Sequence, residues 1–438
     1  MSFSAWRQPR AILWAAAGVT TLGFLVALEI TARHYGLPGP ITQQAQEVVV
    51  PPKSGFLLYA SLALMMVVLP RRQRFLAAGI AIGIDVVFIL VRWAAHIRVT
   101  QGHPFGNGAL WVILGCAVLA VTRRTGQERM LLLKGVGLAL LLVAGRKTGD
   151  TWLLITSKTR SMVLDQYVAT ADHALGNPSW LVGRMVRSTG TIGAHALNIV
   201  YGQLAVAAVV VALYQLRNVA TERRFPDHHL VRTFLVIGLL GPSIYMLFPV
   251  VGPVFAFGAD GGSWAMADLW PNTPTPVNAP HLMPFDGITP RNCMPSLHTA
   301  WATTIFIHSR RGPRVLRIAG TFWLVATLGA TLGFGFHYGA DIVAGVVFAY
   351  TIEAGLRSLA RGWDRPGIQL VAHGTAVFAA LLLSYRYLPV KMADHPWVFG
   401  PLLILAMTSV VHGYLRTTRL WEPKAALARQ PEPQPGLV

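Results

Sequence analysis

Two histidines and one aspartate supply the residue types that phosphorus chemistry needs. His298 ends the run Met294-Pro-Ser-Leu-His298, and His337 and Asp341 bound the run His337-Tyr-Gly-Ala-Asp341. Residues four apart share a helix face, so Asp341 can accept a hydrogen bond from one ring nitrogen of His337 and make the other more basic. His298 can protonate a leaving oxygen. Together they could transfer a phosphoryl group through a phosphohistidine.

The backbone beside His298 predicts an anion pocket. Pro295 suits the first position of a helix, which leaves the N–H groups around Ser296 free to bind a phosphate. A zinc site built from His298, His337 and Asp341 would lack a fourth ligand and a motif such as His-Glu-x-x-His, so we expect no metal. Other histidines are interpreted as structural, namely His195, His308, His373 and His412.

The composition indicates the setting in which these residues work. The chain has 438 residues, of which 53% are apolar and 13% charged, against about 25% charged in soluble domains. This favours an all-α, polytopic membrane bundle over a soluble protein. Cys116 and Cys293 are the only cysteines, which excludes a disulfide scaffold. The net charge of +19 falls in short clusters between apolar runs, so we expect contact with anionic membrane lipids and not with nucleic acid.

About twelve transmembrane helices are predicted from apolar runs near the length that spans a bilayer. They cover roughly 11–31, 55–70, 75–96, 108–122, 130–145, 191–215, 231–257, 294–308, 315–334, 337–356, 368–389 and 397–415. Alternate loops hold at least three Lys or Arg each, at 71–74, 123–129, 217–232, 310–317 and 357–365. By the positive-inside rule both termini are cytoplasmic and both histidine motifs lie on the extracytoplasmic side.

Two long outer segments interrupt this pattern, at 146–190 and 258–293. The first carries several cations and is interpreted either as an interfacial helix pair or as a cationic wall for an anionic substrate. The tail 421–438 is Pro- and Gln-rich and predicts disorder. An Ala-, Val- and Arg-rich composition with few Lys is typical of GC-rich bacterial genomes, which favours a bacterial plasma membrane.

The two histidine motifs, 39 residues apart, resemble the type 2 phosphatidic acid phosphatase superfamily. More narrowly they resemble its inositol phosphorylceramide synthase (inositolphosphotransferase) branch, in which Pro-Ser-Leu-His replaces Pro-Ser-Gly-His. The runs Phe248-Pro-Val-Val-Gly-Pro253 and Asp172-His-Ala-Leu-Gly-Asn-Pro-Ser-Trp180 are weaker parts of the same likeness. The resemblance covers residues 130–356.

The resemblance implies a six-helix catalytic core over 130–356 that needs no metal or other cofactor. It assigns His337 as the nucleophile, Asp341 as its orienting partner and His298 as the general acid. Ser296 would hold phosphoryl oxygens. The remaining organisation is then 1–129 as accessory transmembrane helices, 357–420 as two C-terminal transmembrane helices and 421–438 as the tail.

The superfamily's phosphate-binding cations are missing at their usual positions. Lys147 is not followed seven residues later by Arg-Pro, and Thr331 stands where the resemblance would place an arginine. We expect Arg291 as the first substitute, and Lys147, Lys158 and Arg160 as the next.

The sequence therefore predicts a membrane enzyme that acts on a phospholipid or polyprenyl phosphate. The phosphohistidine would be resolved by water or by an alcohol or inositol-type acceptor, with transfer slightly favoured. Two rivals are a lipid or polyprenyl-phosphate transporter or flippase, and a polyprenyl-dependent glycosyltransferase. The transporter should show paired halves with broken helices, which the sequence does not. The glycosyltransferase would use outer-loop acids such as Asp260, Asp268 and Asp286.

Overall fold

The structure is a computed structural model that describes residues 8–99, 102–258 and 280–427. The first helices are α1 (Gln8–His34), α2 (Pro40–Gln46), α3 (Gly55–Met66), α4 (Arg71–Ala94), α5 (Asn107–Thr122) and α6 (Gly126–Thr159). Next come α7 (Asp165–Asp172), a 3-10 turn (His173–Leu175), α8 (Pro178–Ser188), α9 (Gly190–Gly202), α10 (Leu204–Leu216), α11 (Val219–Glu222), α12 (Leu230–Leu247) and α13 (Pro253–Ala256). The last are α14 (Leu297–Ser309), α15 (Arg314–Gly333), α16 (Gly339–Arg361), α17 (Arg365–Tyr387), α18 (Pro389–Asp394) and α19 (Pro396–Leu427).

The predicted helical class is confirmed. Two short strands, β1 (Met162–Val163) and β2 (His281–Leu282), pair antiparallel and join the two long outer segments. Within the described ranges, 7 helices are long and apolar enough to cross a membrane: α4, α10 extended through α11, α12, α15, α16, α17 and most of α19. The apolar helices α3 and α5 are shorter. Seven such helices are compatible with an integral membrane protein, and the figure of twelve spans stays a prediction.

One hydrophobic core joins the N-terminal helices to the middle of the chain. It includes Leu62 of α3, Ile113 of α5, Val136 of α6, Val211 of α10 and Ile305 of α14. Buried polar groups fix the same region. Asp85 of α4 accepts from the Gly106 and Gly108 N–H groups, each at 2.7 Å, and so holds the start of α5.

A second core surrounds the helix that carries Asp341. It includes Val168 of α7, Val347 of α16, Leu381 of α17 and Val410 of α19. The two C-terminal helices therefore pack directly on α16, so the predicted catalytic helix is covered on that side by α17 and α19.

Helix α6 extends well past the span predicted at 130–145. Its 34 residues are roughly 50 Å long, more than the hydrocarbon thickness. The outer segment predicted to begin at residue 146 is therefore continuous with α6 as far as Thr159, because the charges there are paired and do not end the helix. Arg146 pairs with Asp150 one turn later, at 2.9 Å, and Lys147 pairs with Glu47 at 2.6 Å. The remaining part of that segment forms α7 and α8.

The end of the chain also differs from the prediction. Helix α19 continues to Leu427, past residue 421 where disorder was predicted to begin. Residues 428–438 lie outside the described residues.

Candidate active site

Ser296 begins the helix that carries His298. Its Oγ accepts from the Thr299 N–H at 3.3 Å and its own N–H donates to the Asp341 carbonyl at 3.3 Å. Ser296 is thus the N-cap and Leu297 the first helical residue, so placing Pro295 at the first helical position was wrong. The hydroxyl that was expected to hold phosphate is buried and caps the helix, while its backbone N–H ties α14 to α16.

Asp341 lies in the first turn of the neighbouring helix, α16, and helps to cap it. Tyr338 is the N-cap of α16, and Asp341 Oδ2 accepts from the Tyr338 N–H at 2.8 Å. His337 therefore lies just before the helix. The expectation that His337 and Asp341 share one face of a helix was wrong. The capping arrangement still brings the side chains together, with His337 Nδ1 3.3 Å from Asp341 Oδ2.

The hydrogen bonds of His337 fix its tautomer. Nδ1 lies 2.9 Å from the Cys293 carbonyl oxygen, and a carbonyl can only accept. Nδ1 therefore carries the proton, and the lone pair is on Nε2, where a nucleophile needs it. Burial lowers the pKa of His337 to about 4, although the bond to the Cys293 carbonyl opposes that shift. The ring is neutral at neutral pH.

Asp341, next to this histidine, is fully buried. The Cys293 thiol lies 2.6 Å from Asp341 Oδ2 and 3.3 Å from His337 Nδ1. Cys293 thus contacts both partners, through its thiol and its carbonyl. The sequence suggested Asp341 as the partner of Nδ1, whereas the shortest of the three Nδ1 contacts is with the Cys293 carbonyl.

His298 is held by aromatic rings. The Tyr201 hydroxyl lies 3.0 Å from His298 Nδ1, and the two rings stack with centroids 4.1 Å apart. Trp301 contacts His298 edge-on, and Tyr201 also packs on Phe336 at 5.3 Å. Because Phe336 directly precedes His337, Tyr201 lies between the two histidine motifs.

Two further buried carboxylates position the start of α16. Asp172 Oδ1 accepts from the Ala340 N–H at 2.8 Å. Asp165 Oδ1 accepts from the Tyr338 hydroxyl at 2.9 Å, and Asp165 also receives the Val251 and Gly252 N–H groups. Burial raises the pKa of Asp165 to about 6 and that of Asp172 to about 7.

These supports were not predicted. Asp172 belongs to a run that only weakly resembles the superfamily. Asp165 and Tyr201 belong to no motif that the sequence shows. The role of the Cys293 carbonyl has no sequence signal, since every residue has a carbonyl. Ser179 is a further support, because its hydroxyl donates to the His337 carbonyl at 2.7 Å.

Of the four expected phosphate-binding cations, the two buried ones are held by other groups of the protein. Arg291 is fully buried and donates to the carbonyls of Thr289, Met283 and Arg160, at 2.7, 2.6 and 3.2 Å. Lys147 is buried against Glu47. Lys158 lies 4.9 Å above the Phe285 ring, and the side chains of Lys158 and Arg160 are exposed. Arg291 thus anchors the outer segments, and Lys147 anchors α6 to the N-terminal region.

A cavity of about 350 Å³ extends from His298. Its charged or titratable lining residues are Arg146, Asp150, Tyr201, Tyr245 and His298, and the rest of its wall is mainly apolar. Arg146 therefore brings a guanidinium, half-exposed and paired with Asp150, to the cavity that one of the two histidines lines.

Two groups of side chains place metal-ligand atoms close together. Cys293 Sγ, His337 Nδ1 and Asp341 Oδ2 lie within 4.8 Å of one another. An Nδ1 that donates to a carbonyl has no lone pair for a metal, and zinc would require a fourth ligand. The contacts in this group are those of a hydrogen-bonded triad.

The second group lies at the opposite end of α14 and α16. His228 and His308 place Nε2 atoms 2.9 and 3.1 Å from the Glu353 carboxylate, which also accepts from Arg357. The Gln215 amide nitrogen lies 2.8 Å from His308 Nδ1, and its oxygen accepts the Leu230 N–H. The amide orientation leaves the His308 proton on Nε2, facing Glu353, so this group is also a hydrogen-bonded network.

Comparison with protein families divides the chain into two parts. Residues 166–354 match the model of the PAP2 superfamily. Residues 12–155 match a model described as a domain of unknown function, DUF5933. Comparisons with curated proteins and with solved structures returned no match.

The matched stretch, called the PAP2 domain below, contains His298, His337 and Asp341, together with Asp172, Tyr201 and Cys293. Its members are phosphatases and phosphotransferases, which agrees with an enzyme that acts on phosphoric esters. The likeness to the superfamily is confirmed for this part of the chain. The narrower likeness to the inositolphosphotransferase branch stays a prediction.

Proposed function

We propose that this protein is an integral-membrane phosphotransferase or phosphatase acting on a lipid-linked phosphate at the extracytoplasmic face. The observation that carries the proposal is the contact between His337 Nδ1 and the Cys293 carbonyl, which leaves Nε2 as a free nucleophile. The PAP2 domain supports the reaction class. The cation clusters in the alternate loops support the orientation.

The proposed reaction has two steps. His337 Nε2 attacks phosphorus, the N–P bond forms and the P–O bond to the leaving alcohol breaks, while His298 gives its proton to that oxygen. A hydroxyl of water or of an alcohol then attacks phosphorus, His298 takes the proton, and the N–P bond breaks. As the general acid His298 is the imidazolium: its Nδ1–H donates to the Tyr201 hydroxyl, its Nε2 proton goes to the leaving oxygen, and the ring is left neutral and able to take a proton in the second step.

Charge on the phosphoryl oxygens needs donors near these rings. Arg146 lines the same cavity as His298 and is our first candidate, since Arg291 and Lys147 are engaged elsewhere. Lys158 and Arg160 are exposed and remain candidates on the outer segment. The acceptor is proposed to be an alcohol or inositol-type hydroxyl in preference to water, on the resemblance of the Met294–His298 run.

The test compares wild-type protein with His337→Ala in detergent. A mixture of phosphorylated lipids is supplied with and without alcohol acceptors, and the products are followed by mass spectrometry. We expect free phosphate or a head-group-exchanged lipid from the wild type, and a loss of about a thousandfold or more in His337→Ala, because the nucleophile is gone. A base-quenched digest of the wild type should contain the peptide with residue 337 carrying the transferred group.

His373→Ala is the matched control, since His373 is exposed and its Nε2 contacts only the Ser409 hydroxyl among the described hydrogen bonds. It should keep wild-type turnover. Turnover that survives in His337→Ala would overturn the proposal. Lipid movement across vesicles without any new product would instead support a transporter.

A further inference from the structure

The cavity that reaches His298 lies between the two parts of the chain that match different families. One wall comes from α3 and α6 of the N-terminal part, and the other from α10, α12 and α14 of the PAP2 domain. The α3 residues in the wall are Phe56, Leu57, Ala60 and Leu64. The facing α10 residues are Leu204, Ala205, Ala208, Val209 and Ala212.

The chemistry of this cavity fits one kind of occupant. Apolar and small side chains make up most of the wall, while His298, Tyr201, Arg146 and Asp150 are among its polar members. Its volume of about 350 Å³ is within the usual range of ligand sites, roughly 300–1,000 Å³. An amphipathic molecule with a phosphate at His298 would lay its apolar chain along α3 and α10.

We infer that the N-terminal part, residues 12–155, forms one wall of the site for the apolar chain of the substrate and selects that chain by its length. This inference rests on the proposed function, because it takes the group bound at His298 to be a lipid-linked phosphate. The inference gives a role to residues 12–155, which match a domain of unknown function.

Selection in such a site must be steric. A lipid chain leaves a bilayer that is as apolar as the cavity, so it gains little from the hydrophobic effect. A wall of fixed shape can still exclude chains that do not fit, because packed interiors deform little. Ala60 and Leu64 meet this condition, since they are 4% and 1% exposed and Leu64 belongs to the first hydrophobic core.

The experiment changes the wall and measures chain preference. Ala60→Phe narrows the cavity from α3, and Leu64→Ala widens it. Gly202→Leu narrows it from the PAP2 side, where an added Cβ would meet nothing within 4 Å. The substrate is the lipid phosphate that wild type turns over, supplied with eight-carbon and with sixteen-carbon chains in detergent micelles.

We expect the long-to-short ratio of kcat/KM to fall at least tenfold in Ala60→Phe and Gly202→Leu, and to rise in Leu64→Ala. A general loss of folding lowers both rates and leaves their ratio unchanged. Gly137→Leu is the control, because Gly137 lies on α6 outside the cavity and also has open space around an added Cβ. Ratios within twofold of wild type in all three wall variants would overturn the inference.

A binding measurement separates this inference from the proposed function. Phosphatidic acid with a diazirine at the chain end is cross-linked to wild type, His337→Ala and Ala60→Phe, and the labelled peptides are mapped. We expect labelling of α3 in the first two proteins and its loss in Ala60→Phe. If α3 is labelled but the wild type shows no turnover, the proposed function is contradicted and the inference stands. If the wild type turns over substrate but α3 is not labelled, the inference is contradicted and the proposed function stands.

Discussion

At the scale of single residues, His337 owes its reactive form to a backbone atom. The Cys293 carbonyl holds the proton on Nδ1, while Asp341 contacts the same nitrogen at 3.3 Å and caps α16. Asp341 thus serves two functions, because the carboxylate that faces the histidine also fixes the helix behind it. A change at Asp341 should therefore disturb both the ring and the start of α16.

The low pKa of His337 predicts the acid side of the pH–rate profile. Burial lowers this pKa to about 4, so the neutral nucleophile persists well below the ordinary histidine value of about 6.5. We expect kcat/KM to change little for this group between pH 7 and pH 5 and to decline near pH 4. An acid-side decline of kcat/KM centred near pH 6.5 instead of near pH 4 would contradict the burial argument.

The buried carboxylates predict how stability depends on pH. The pKa of Asp172 is raised to about 7 by burial, against about 3.9 in an unfolded chain. The folded protein therefore holds a proton that the unfolded chain releases, and the free energy of unfolding falls as pH rises from about 4 to about 7. Asp172→Asn keeps an oxygen for the Ala340 N–H and removes this titration, so its thermal unfolding in detergent should differ less between pH 5 and pH 8.

The free energy of unfolding should change with pH by at most about 1.4 kcal/mol per pH unit more in the wild type than in Asp172→Asn. Asp286→Asn is the control. Hydrogen bonds from Thr289 outweigh slight burial at Asp286 and lower its pKa to about 2, so it titrates below this window. An Asp172→Asn protein that loses as much stability as wild type would show that Asp172 is ionised throughout.

At the scale of elements, α14 and α16 run in parallel and have different chemistry at their two ends. Ser296 and Asp341 meet at the end where the reaction is proposed, and His308 and Glu353 meet at the other. The second contact fixes the register of the two helices far from the reacting groups. Since the proposed reaction depends on the placement of His298 relative to His337, we propose that this distant network positions the two histidines.

Glu353→Gln tests that network. The amide removes the negative charge and one of the two acceptor oxygens that the buried His308 and the partly buried Arg357 and His228 share, and breaking a buried ion pair typically costs about 3–5 kcal/mol. We expect a clear fall in the melting temperature, measured in detergent. Glu222→Gln changes an exposed carboxylate and should melt like wild type. Equal melting of the two variants would mean that Glu353 contributes no net stability.

Sequence patterns could predict the elements but not all their ends. Apolar runs indicated the helices around 75–96, 315–334 and 368–389, because burial and bilayer length dominate there. They indicated a span that ends at residue 145, whereas α6 continues past it, because Lys147 pairs with Glu47, a hundred residues away in the sequence. Motif spacing brought the residues His298, His337 and Asp341 together. It did not indicate Tyr201 or Asp165, because those contacts arise from tertiary packing.

At the scale of the whole molecule, the PAP2 domain is enclosed by helices from both ends of the chain. Helices α3 to α6 share a core with α10, α12 and α14, and α17 and α19 share another with α16. The helices that carry His298 and Asp341 are thus buried on both sides by segments outside the PAP2 match. Removing either flank should expose apolar core, so activity and stability are expected to depend on the full chain.

The orientation in the membrane is the last property that follows from the whole chain. If the cation clusters mark the inside, the loop before α6 is cytoplasmic and the segment before Cys293 is extracytoplasmic. Single cysteines test this in a Cys116→Ala background, where the remaining Cys293 is fully buried. Ile288→Cys, at a residue 83% exposed, should react with a membrane-impermeant maleimide on intact cells. Arg129→Cys should react only after permeabilisation, and the reverse pattern would place the histidines at the cytoplasmic face and exclude an extracytoplasmic substrate.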